Sequence, residues 1–308
     1  MSPHSIDYQC ARVARAAALS VAPYLRSVAR TVTSFDTKMD SHDPVTVHDR
    51  HVEGVLHEIL GFFAPGSRVL GEERGEVTLT STPPSSVSFD EANALAQLGE
   101  ASGVSELGER LRWIVDPIDG TANFACGMAY FGTSIAAELD GQVVAGAVSV
   151  PMLHEVFVAD ATRAWHEGPE GIVDLRSRGP HSEAEAVLIS YYPTRKLLHQ
   201  EPLVAAERER RLVEAYMATR RSGACALDLA HIAAGWLGAM IGTAFKPWDV
   251  AAGIHMVRVA GGTVLNLPLR TDLADGYAPG VAASAGSFEA VTIEAVLREE
   301  QAFIDSIY

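Results

Sequence analysis

The stretch Asp116-Pro-Ile-Asp-Gly-Thr-Ala-Asn-Phe124 decides how this chain is interpreted. It directly follows a short apolar run, Trp113-Ile-Val115, which predicts a buried β-strand. The strand is expected to end in two carboxylates, Asp116 and Asp119, with a proline between them. Gly120 permits a tight turn, and Thr121 can cap a short helix that follows the turn.

This combination of residue types suits two kinds of ligand. Carboxylate oxygens are hard ligands for a divalent cation, and a helix N-terminus is a natural place for a phosphate. Taken by itself, the stretch is also compatible with an acidic strand-to-loop corner that binds nothing. The rest of the chain has to decide between these alternatives.

Composition and charge narrow the class of protein. The chain has 308 residues, of which 48% are hydrophobic and 20% charged, so it is long enough for one large or two smaller globular domains. The formal net charge is −15 and no run of lysine or arginine stands out, so we expect no nucleic-acid partner. A bound metal ion would supply the local positive charge that a phosphate needs.

Cysteine spacing and hydropathy predict a cytoplasmic protein. Cys10, Cys126 and Cys225 are too widely spaced for a zinc cluster or a disulfide framework, which favours a reducing compartment. The N-terminus lacks the basic and apolar regions of a signal peptide. No apolar stretch free of charges is long enough to cross a bilayer, so we expect no membrane contact.

Acidic residues stand at three further boundaries between predicted elements. Arg68-Val-Leu70 is a predicted strand that ends in Gly71-Glu-Glu73. Asp49 precedes a run with helical spacing, and Asp249 stands at the start of an alanine-rich segment. For each of these two aspartates, a helix cap and a catalytic role are both open at this stage.

The sequence pattern predicts the surrounding elements. Residues 5–30 have the apolar spacing of an amphipathic helix, and residues 74–110 separate the two acidic strand ends. Within that separation we predict a loop at 80–88 and a helix at 90–110, forming either a lid or an inert surface insertion. Further strands are predicted at 133–139, 143–150, 155–159 and 187–191, and a helix at 203–218.

Three blocks of sequence together resemble one known family. Gly71-Glu-Glu73, the stretch Trp113 to Phe124, and Trp248-Asp-Val-Ala-Ala-Gly253 are similar in order and spacing to the inositol monophosphatase family, which comprises Mg²⁺-dependent, lithium-sensitive phosphatases. The similarity runs from Lys38 to the final helix. It implies a mixed α+β and α/β fold, the layered α/β/α/β/α sandwich of the inositol monophosphatase and fructose-1,6-bisphosphatase type. Residues 1–180 would carry most metal ligands, and residues 181–308 would complete the site.

The resemblance also implies roles for individual residues. Two to three Mg²⁺ ions per site would be held by the side chains of Glu72, Asp116, Asp119 and Asp249 and by the carbonyl of Ile118. Glu72, Asp49 and Thr121 would act on the attacking water, and Gly120 and Thr121 would bind phosphate. Cys225 and Asp249 would contact substrate. Glu73 and Lys38 would contact the metal ligands without binding the metal themselves. Relatives of this kind are usually homodimers.

The expected activity is hydrolysis of a small phosphate monoester by metal-activated water, with inositol monophosphate as the first candidate substrate. Alternatives are 3'(2'),5'-bisphosphate nucleotidase, fructose-1,6-bisphosphatase and histidinol-phosphatase activities, and, in a different class, a catalytically reduced regulatory homologue. Gly242 occupies the position, seven residues before Asp249, where inositol phosphatases usually have a glutamate for sugar hydroxyls. The substrate is therefore left open.

Overall fold

The computed structural model describes residues 5–31, 36–37, 44–81, 103–268 and 279–307. The helices are α1 (Ile6–Ser20), α2 (Ala22–Val28), α3 (Val47–Phe63), α4 (Thr121–Ala125), α5 (Arg195–Gln200), α6 (Pro202–Ala215), α7 (Cys225–Ala233), α8 (Pro247–Val259) and α9 (Val291–Ile307). The strands are β1 (Asp36–Thr37), β2 (Pro44–Val45), β3 (Arg68–Gly71), β4 (Gly75–Thr78), β5 (Leu111–Asp119), β6 (Gly132–Leu139), β7 (Gln142–Val150), β8 (Glu155–Ala159), β9 (Ala164–Gly168), β10 (Gly171–Asp174), β11 (Val187–Ser190), β12 (Ala218–Arg220), β13 (Ala239–Gly242), β14 (Thr263–Pro268) and β15 (Pro279–Ser284).

Two large sheets form the frame of the molecule. The first has eight strands in the order β10-β9-β8-β7-β6-β5-β3-β4 and is antiparallel except where β3 runs parallel to β5. The second has five strands in the order β12-β11-β13-β15-β14, with β11 parallel to both of its neighbours. A third, two-stranded ribbon pairs β1 with β2.

The helices and the two large sheets form five layers, which pack around three hydrophobic cores. Helices α1 and α3 pack on one face of the eight-stranded sheet, α7 and α8 lie between the two sheets, and α6 and α9 cover the far face of the five-stranded sheet. Strand β5 shows how the sequence does this. Trp113 and Val115 enter the first core and Ile114 enters the second, as the two-residue repeat of a strand requires. The predicted α/β/α/β/α sandwich is confirmed.

Some predicted elements differ from the observed ones. The helix expected over 5–30 is broken at Val21, because Pro23 in the first turn of α2 cannot donate a helical hydrogen bond. The helix expected over 203–218 ends at Ala215, because the next residues pair with β11 as strand β12. In the 90–110 segment, 103–110 forms two short 3₁₀ turns after Gly103, whose φ is 84°. Residues 82–102, and with them the rest of that predicted helix, lie outside the described part of the chain.

The two sheets fall on either side of residue 180, and the division into halves at that position stays a prediction. Lys38 lies outside the described residues. Among the residues that the structure describes, no helix has the length and apolarity needed to cross a membrane.

Candidate metal and phosphate site

A bulge in strand β5 turns two carboxylates toward one cavity. Residues three apart in a regular strand point to opposite faces of the sheet. Here Asp116 pairs with Ser134 while Asp119 pairs with Gly132, so β5 has one residue more than its partner over this interval. The extra residue lets Asp116 and Asp119 line the same pocket, and it places Ile118 beside them.

Gly120 ends the strand and starts the short helix α4. Its φ is 90°, in the left-handed region that favours glycine. A Cβ at this position would also lie 3.0 Å from the Cβ of Ala224 and 3.1 Å from the carbonyl oxygen of Gly223. Glycine is therefore required here by both conformation and close packing, which explains the Asp-Gly-Thr sequence at the site.

Carboxylates from separate parts of the chain converge on a cavity of about 350 Å³. Glu72 follows β3, Asp116 and Asp119 lie at the end of β5, and Asp249 lies in the first turn of α8. We call these four side chains the acidic end of the cavity. Ile118, Gly120, Thr121 and Cys225 line the same cavity, so the structure brings together the predicted metal ligands and all four predicted phosphate or substrate contacts.

The acidic end is electrostatically strained. Asp116 and Asp119 are only 3% and 5% exposed. Burial raises the pKa of Asp116 well above its ordinary value, and the nearby Glu72, Asp119 and Asp249 raise it further. Burial also raises the pKa of Asp119, with Asp249 adding to the effect. Buried carboxylates that repel one another are the arrangement that a bound cation would relieve.

Backbone N–H groups hold three of these carboxylates in place. Oδ1 of Asp116 accepts a hydrogen bond from the N–H of Ile118 at 3.0 Å. The two oxygens of Asp119 accept from the N–H groups of Cys225 and Leu227, at 2.9 and 3.1 Å. Asp249 accepts from the N–H of Lys246 at 2.7 Å, so the helix-cap interpretation of Asp249 is correct and its carboxylate also lines the cavity.

Asp119 acts as the missing cap of helix α7. The residue at the cap position is Ala224, which has no side chain that can accept a hydrogen bond. The carboxylate of Asp119 reaches across from the first sheet and takes two of the N–H groups that the helix start leaves over. The same side chain therefore serves the acidic end of the cavity and the helix layer between the sheets.

Asp49 and Thr121 form a hydrogen-bonded pair at the edge of the cavity. The Thr121 hydroxyl lies 3.0 Å from Asp49 Oδ1 and 3.0 Å from the carbonyl oxygen of Ile118. The other oxygen of the fully buried Asp49 accepts from the N–H and hydroxyl of Thr46, at 2.8 and 2.6 Å. One oxygen of Asp49 therefore caps α3 and the other binds the Thr121 hydroxyl, and the catalytic role of Asp49 stays a prediction.

A buried glutamate that the sequence analysis missed supports the Gly71-Glu-Glu73 turn. Oε2 of Glu53 accepts a hydrogen bond from the N–H of Glu73 at 2.8 Å, and the Glu53 side chain is fully buried. Burial raises the pKa of Glu53. Oε2 of Glu73 itself lies 3.8 Å from Nε of Arg50. A charged residue inside the apolar stripe of α3 was the signal available in the sequence.

Two aromatic side chains, Tyr191 and Phe245, also line the cavity. A Cβ added to Gly242 would lie 2.2 Å from Cζ and 2.5 Å from Cε2 of Phe245, so the Phe245 ring fills the direction in which a side chain at 242 would project. The ring meets Tyr191 nearly at right angles, with centroids 5.4 Å apart. We call Tyr191 and Phe245 the aromatic wall; both line the cavity.

A buried aspartate orients the aromatic wall. The hydroxyl of Tyr191 donates to Oδ2 of Asp228 at 2.7 Å, and the hydroxyl of Tyr130 donates to Oδ1 at 2.7 Å. Ser222 also donates to Asp228. Burial raises the pKa of Asp228 to about 6. Asp228 lies in the otherwise apolar sequence Leu227-Asp-Leu229, a signal that the sequence analysis did not use.

The donor set fits a hard divalent cation. Among the described residues, no three His, Cys, Asp or Glu side chains already stand in an arrangement that holds a metal ion. Three of the four carboxylates accept hydrogen bonds from backbone N–H groups, and a carboxylate oxygen has two lone pairs, so it can accept such a bond and also ligate a metal ion. Mg²⁺ takes oxygen ligands and keeps several of its waters, so it does not need a closed cage of side chains.

Comparisons with known proteins identify the family of this chain. The model described as "Inositol monophosphatase family" matches residues 6–301. The "Inositol-1-monophosphatase" of Mycobacterium leprae is 32% identical over 253 residues, which cover 81% of this chain and 77% of that protein. The "Nus factor SuhB" of Pseudomonas aeruginosa is 31% identical over 240 residues, 78% of each chain.

The fold of the chain is also similar to that of a solved structure. Mycobacterium tuberculosis SuhB has a TM-score of 0.68 at 28% identity, over 94% of this chain and 95% of that one. The five-layered fold and these similarities identify the class of protein, which is that of the phosphomonoesterases. The family is generally metal-dependent. The chain belongs to the inositol monophosphatase family.

Proposed function

We propose that this chain hydrolyses a small phosphate monoester in a Mg²⁺-dependent reaction. The observation that carries the proposal is the convergence of Glu72, Asp116, Asp119 and Asp249 on one small cavity beside Thr121. The carbonyl of Ile118 is the fifth proposed metal ligand. When bound, Mg²⁺ would neutralise charge on the phosphate and leaving oxygen and lower the pKa of the attacking water.

The pair formed by Asp49 and Thr121 supports an orienting role. A hydroxyl that donates its proton to Asp49 has its lone pairs left to accept a hydrogen bond. Thr121 lines the cavity, so those lone pairs can orient an attacking water. Glu72 lines the same cavity and is the proposed base that takes the proton.

The strand-to-helix turn supports phosphate binding. The first N–H groups of a helix have no partner within the helix, and they favour an anion. Gly120 and Thr121 present this turn to the cavity and are the proposed phosphate contacts. Cys225 remains a proposed substrate contact, although its N–H donates to Asp119 and its Sγ lies 3.8 Å from Sδ of Met240.

The direct test is release of inorganic phosphate from four esters in the presence of Mg²⁺ and after chelation. The panel is inositol-1-phosphate, fructose-1,6-bisphosphate, histidinol phosphate and 3'-phosphoadenosine 5'-phosphate, which covers the alternative activities. Mg²⁺-dependent release from any of them, abolished by the chelator, is the expected result. Calorimetric titration of Mg²⁺ into the protein gives a second readout that is independent of turnover.

The regulatory alternative has its own outcome in this experiment. One relative of this chain is the Nus factor SuhB of Pseudomonas aeruginosa. A catalytically reduced homologue would release no phosphate from any ester and would bind Mg²⁺ weakly. The complete set of cavity carboxylates favours the enzyme. Assembly as a homodimer stays a prediction.

A further inference from the structure

The aromatic wall bears on which phosphate ester this cavity accepts. The aromatic wall carries no carboxylate like those of the acidic end. Gly242 has no side chain, and the Phe245 ring covers Gly242. Phe245 is 5% exposed, so the ring is packed in place. Its neighbour Tyr191 is held from behind by Asp228, at 2.7 Å. The wall is therefore a fixed apolar surface.

The hydroxyl groups near the wall are already engaged. The phenol of Tyr191 donates to Asp228, and burial together with that carboxylate raises the pKa of Tyr191, so the phenol stays protonated. Thr194 also lines the cavity, and its Oγ1 accepts a hydrogen bond from the N–H of Leu197 at 3.2 Å. A polyol placed against the faces of the two rings would lose hydrogen bonds to water and gain none from the rings themselves.

The guanidinium of Arg221 lies beside the aromatic wall. Nη2 of Arg221 donates to the carbonyl oxygens of Tyr191 and Pro193, at 2.7 and 3.3 Å. These bonds hold the backbone of the wall, and the exposed Arg221 is also one of the residues that line the cavity. A planar guanidinium and an aromatic face both favour a flat, polarisable group over a puckered one.

We propose that the substrate is the phosphate ester of an alcohol that carries a flat, sparsely hydroxylated ring, aromatic or heteroaromatic, which lies against Tyr191 and Phe245. The inference rests on the proposed phosphatase function and names the substrate class of the same site. The phosphate would occupy the acidic end with its metal, and the ring would occupy the aromatic wall. A cavity of about 350 Å³ fits one such ring and a phosphate.

The test compares three esters that differ mainly in the ring. Benzyl phosphate is flat, cyclohexylmethyl phosphate has the same carbons but is puckered, and inositol-1-phosphate is puckered and hydroxylated. With Mg²⁺, kcat/KM for benzyl phosphate is expected to exceed that for inositol-1-phosphate by about tenfold or more, and that for the cyclohexyl ester to lie between them. A preference for inositol-1-phosphate would overturn the proposal and leave the phosphatase function standing.

Variants of the wall sharpen the comparison. Phe245→Ala is expected to lower the ratio of benzyl to inositol ester by about tenfold, mainly through KM. Phe245→Leu keeps an apolar side chain without a flat face and should lower the ratio less, and it replaces the alanine variant if that one fails to fold. Tyr191→Phe retains both rings and should keep the preference. An unchanged ratio in both Phe245 variants would contradict the proposed wall.

Binding separates failure of this proposal from failure of the proposed function. Benzylphosphonate and cyclohexylmethylphosphonate, which are not hydrolysed, are titrated calorimetrically into the Mg²⁺-loaded protein and into the Phe245 variants. Tighter binding of benzylphosphonate, reduced by Phe245→Ala, supports the ring site even if no ester is turned over. Equal binding of the two phosphonates overturns it.

Discussion

The acidic end and the aromatic wall of the cavity are held in place by different kinds of contact. At the acidic end, backbone N–H groups of Ile118, Cys225 and Lys246 fix the carboxylates. At the aromatic wall, side chains fix one another: Phe245 packs over Gly242, and Tyr191 bonds to Asp228. Backbone geometry changes little when one residue changes, whereas a wall made of side chains can be remodelled by a single substitution. We therefore expect substitutions to separate the proposed metal chemistry from the proposed choice of substrate.

The strongest way to break the comparison is to change the acidic end. Asp116→Asn keeps the oxygen that accepts from Ile118 but removes a charge that the proposed metals require. We expect kcat to fall by about a thousandfold or more, since metal ions supply several kcal/mol of charge stabilisation. Steady-state kinetics at saturating Mg²⁺ would show this.

Stability provides the control for that variant. Burial raises the pKa of Asp116, so its charged form costs stability at neutral pH and a neutral asparagine should not lower the Tm of the metal-free protein. Asp140→Asn, which removes an exposed carboxylate bound to Arg110, is the matched substitution and should leave kcat unchanged. Near-normal turnover of Asp116→Asn would remove the site assignment.

The next largest effect is expected at the pair of Thr121 and Asp49. Thr121→Val removes the hydroxyl at nearly constant volume and should lower kcat by about a hundredfold, the scale of one group acting in proton transfer. Thr121→Ser restores the hydroxyl and should recover most of the activity. An active valine variant beside an impaired serine variant would show that the methyl group, and not the hydroxyl, matters.

Much of the acidic end was predictable from sequence because it rests on local patterns. The apolar run before Asp116, the Asp-Gly-Thr turn and the start of α8 at Asp249 all follow from neighbouring residues. The aromatic wall was not predictable in this way. The absence of a glutamate at Gly242 was visible, but the Phe245 ring that fills its place depends on how β13 and the loop before α8 fold back.

Sequence patterns also failed where tertiary contacts override local preference. The end of α6 gave way to β12 because parallel pairing with β11 was available. Asp228 and Glu53 could be recognised as acids among apolar neighbours, but their partners come from distant positions, such as Tyr130 and Glu73. Periodicity identifies a buried acid and does not identify what that acid binds.

A third substitution tests the wall through stability. Gly242→Glu, which would restore the carboxylate usual in inositol phosphatases, places a Cβ at 2.2 Å from the Phe245 ring. We expect it to lower the free energy of unfolding by about 1–3 kcal/mol, the usual cost of overpacking. Adding Phe245→Ala should recover part of that loss. Denaturant titration of both variants gives the values, and a fully stable single variant would show that the wall can move.

The smallest expected effect concerns Asp228, which holds the wall. Its folded pKa of about 6 is above the ordinary value of 3.8, so its contribution to stability is present at low pH and is lost as pH rises through 6. Between pH 5 and 7 this loss is on the order of 1 kcal/mol. Asp228→Asn does not titrate, so the stability difference between wild type and variant should shift by that amount. A difference independent of pH would contradict the shifted pKa.

The helix cap supplied by Asp119 has a consequence for how such a protein can evolve. Helix α7 begins at Cys225, after the cap residue Ala224, and the N–H groups of Cys225 and Leu227 in its first turn donate to a carboxylate from another layer. A lineage that abandons catalysis is usually free to lose its ligands in any order. Here, loss of Asp119 would also remove a cap worth about 0.5–2 kcal/mol. Serine or aspartate at position 224 would therefore have to appear first, and its presence in a descendant sequence would mark the route toward a non-catalytic role.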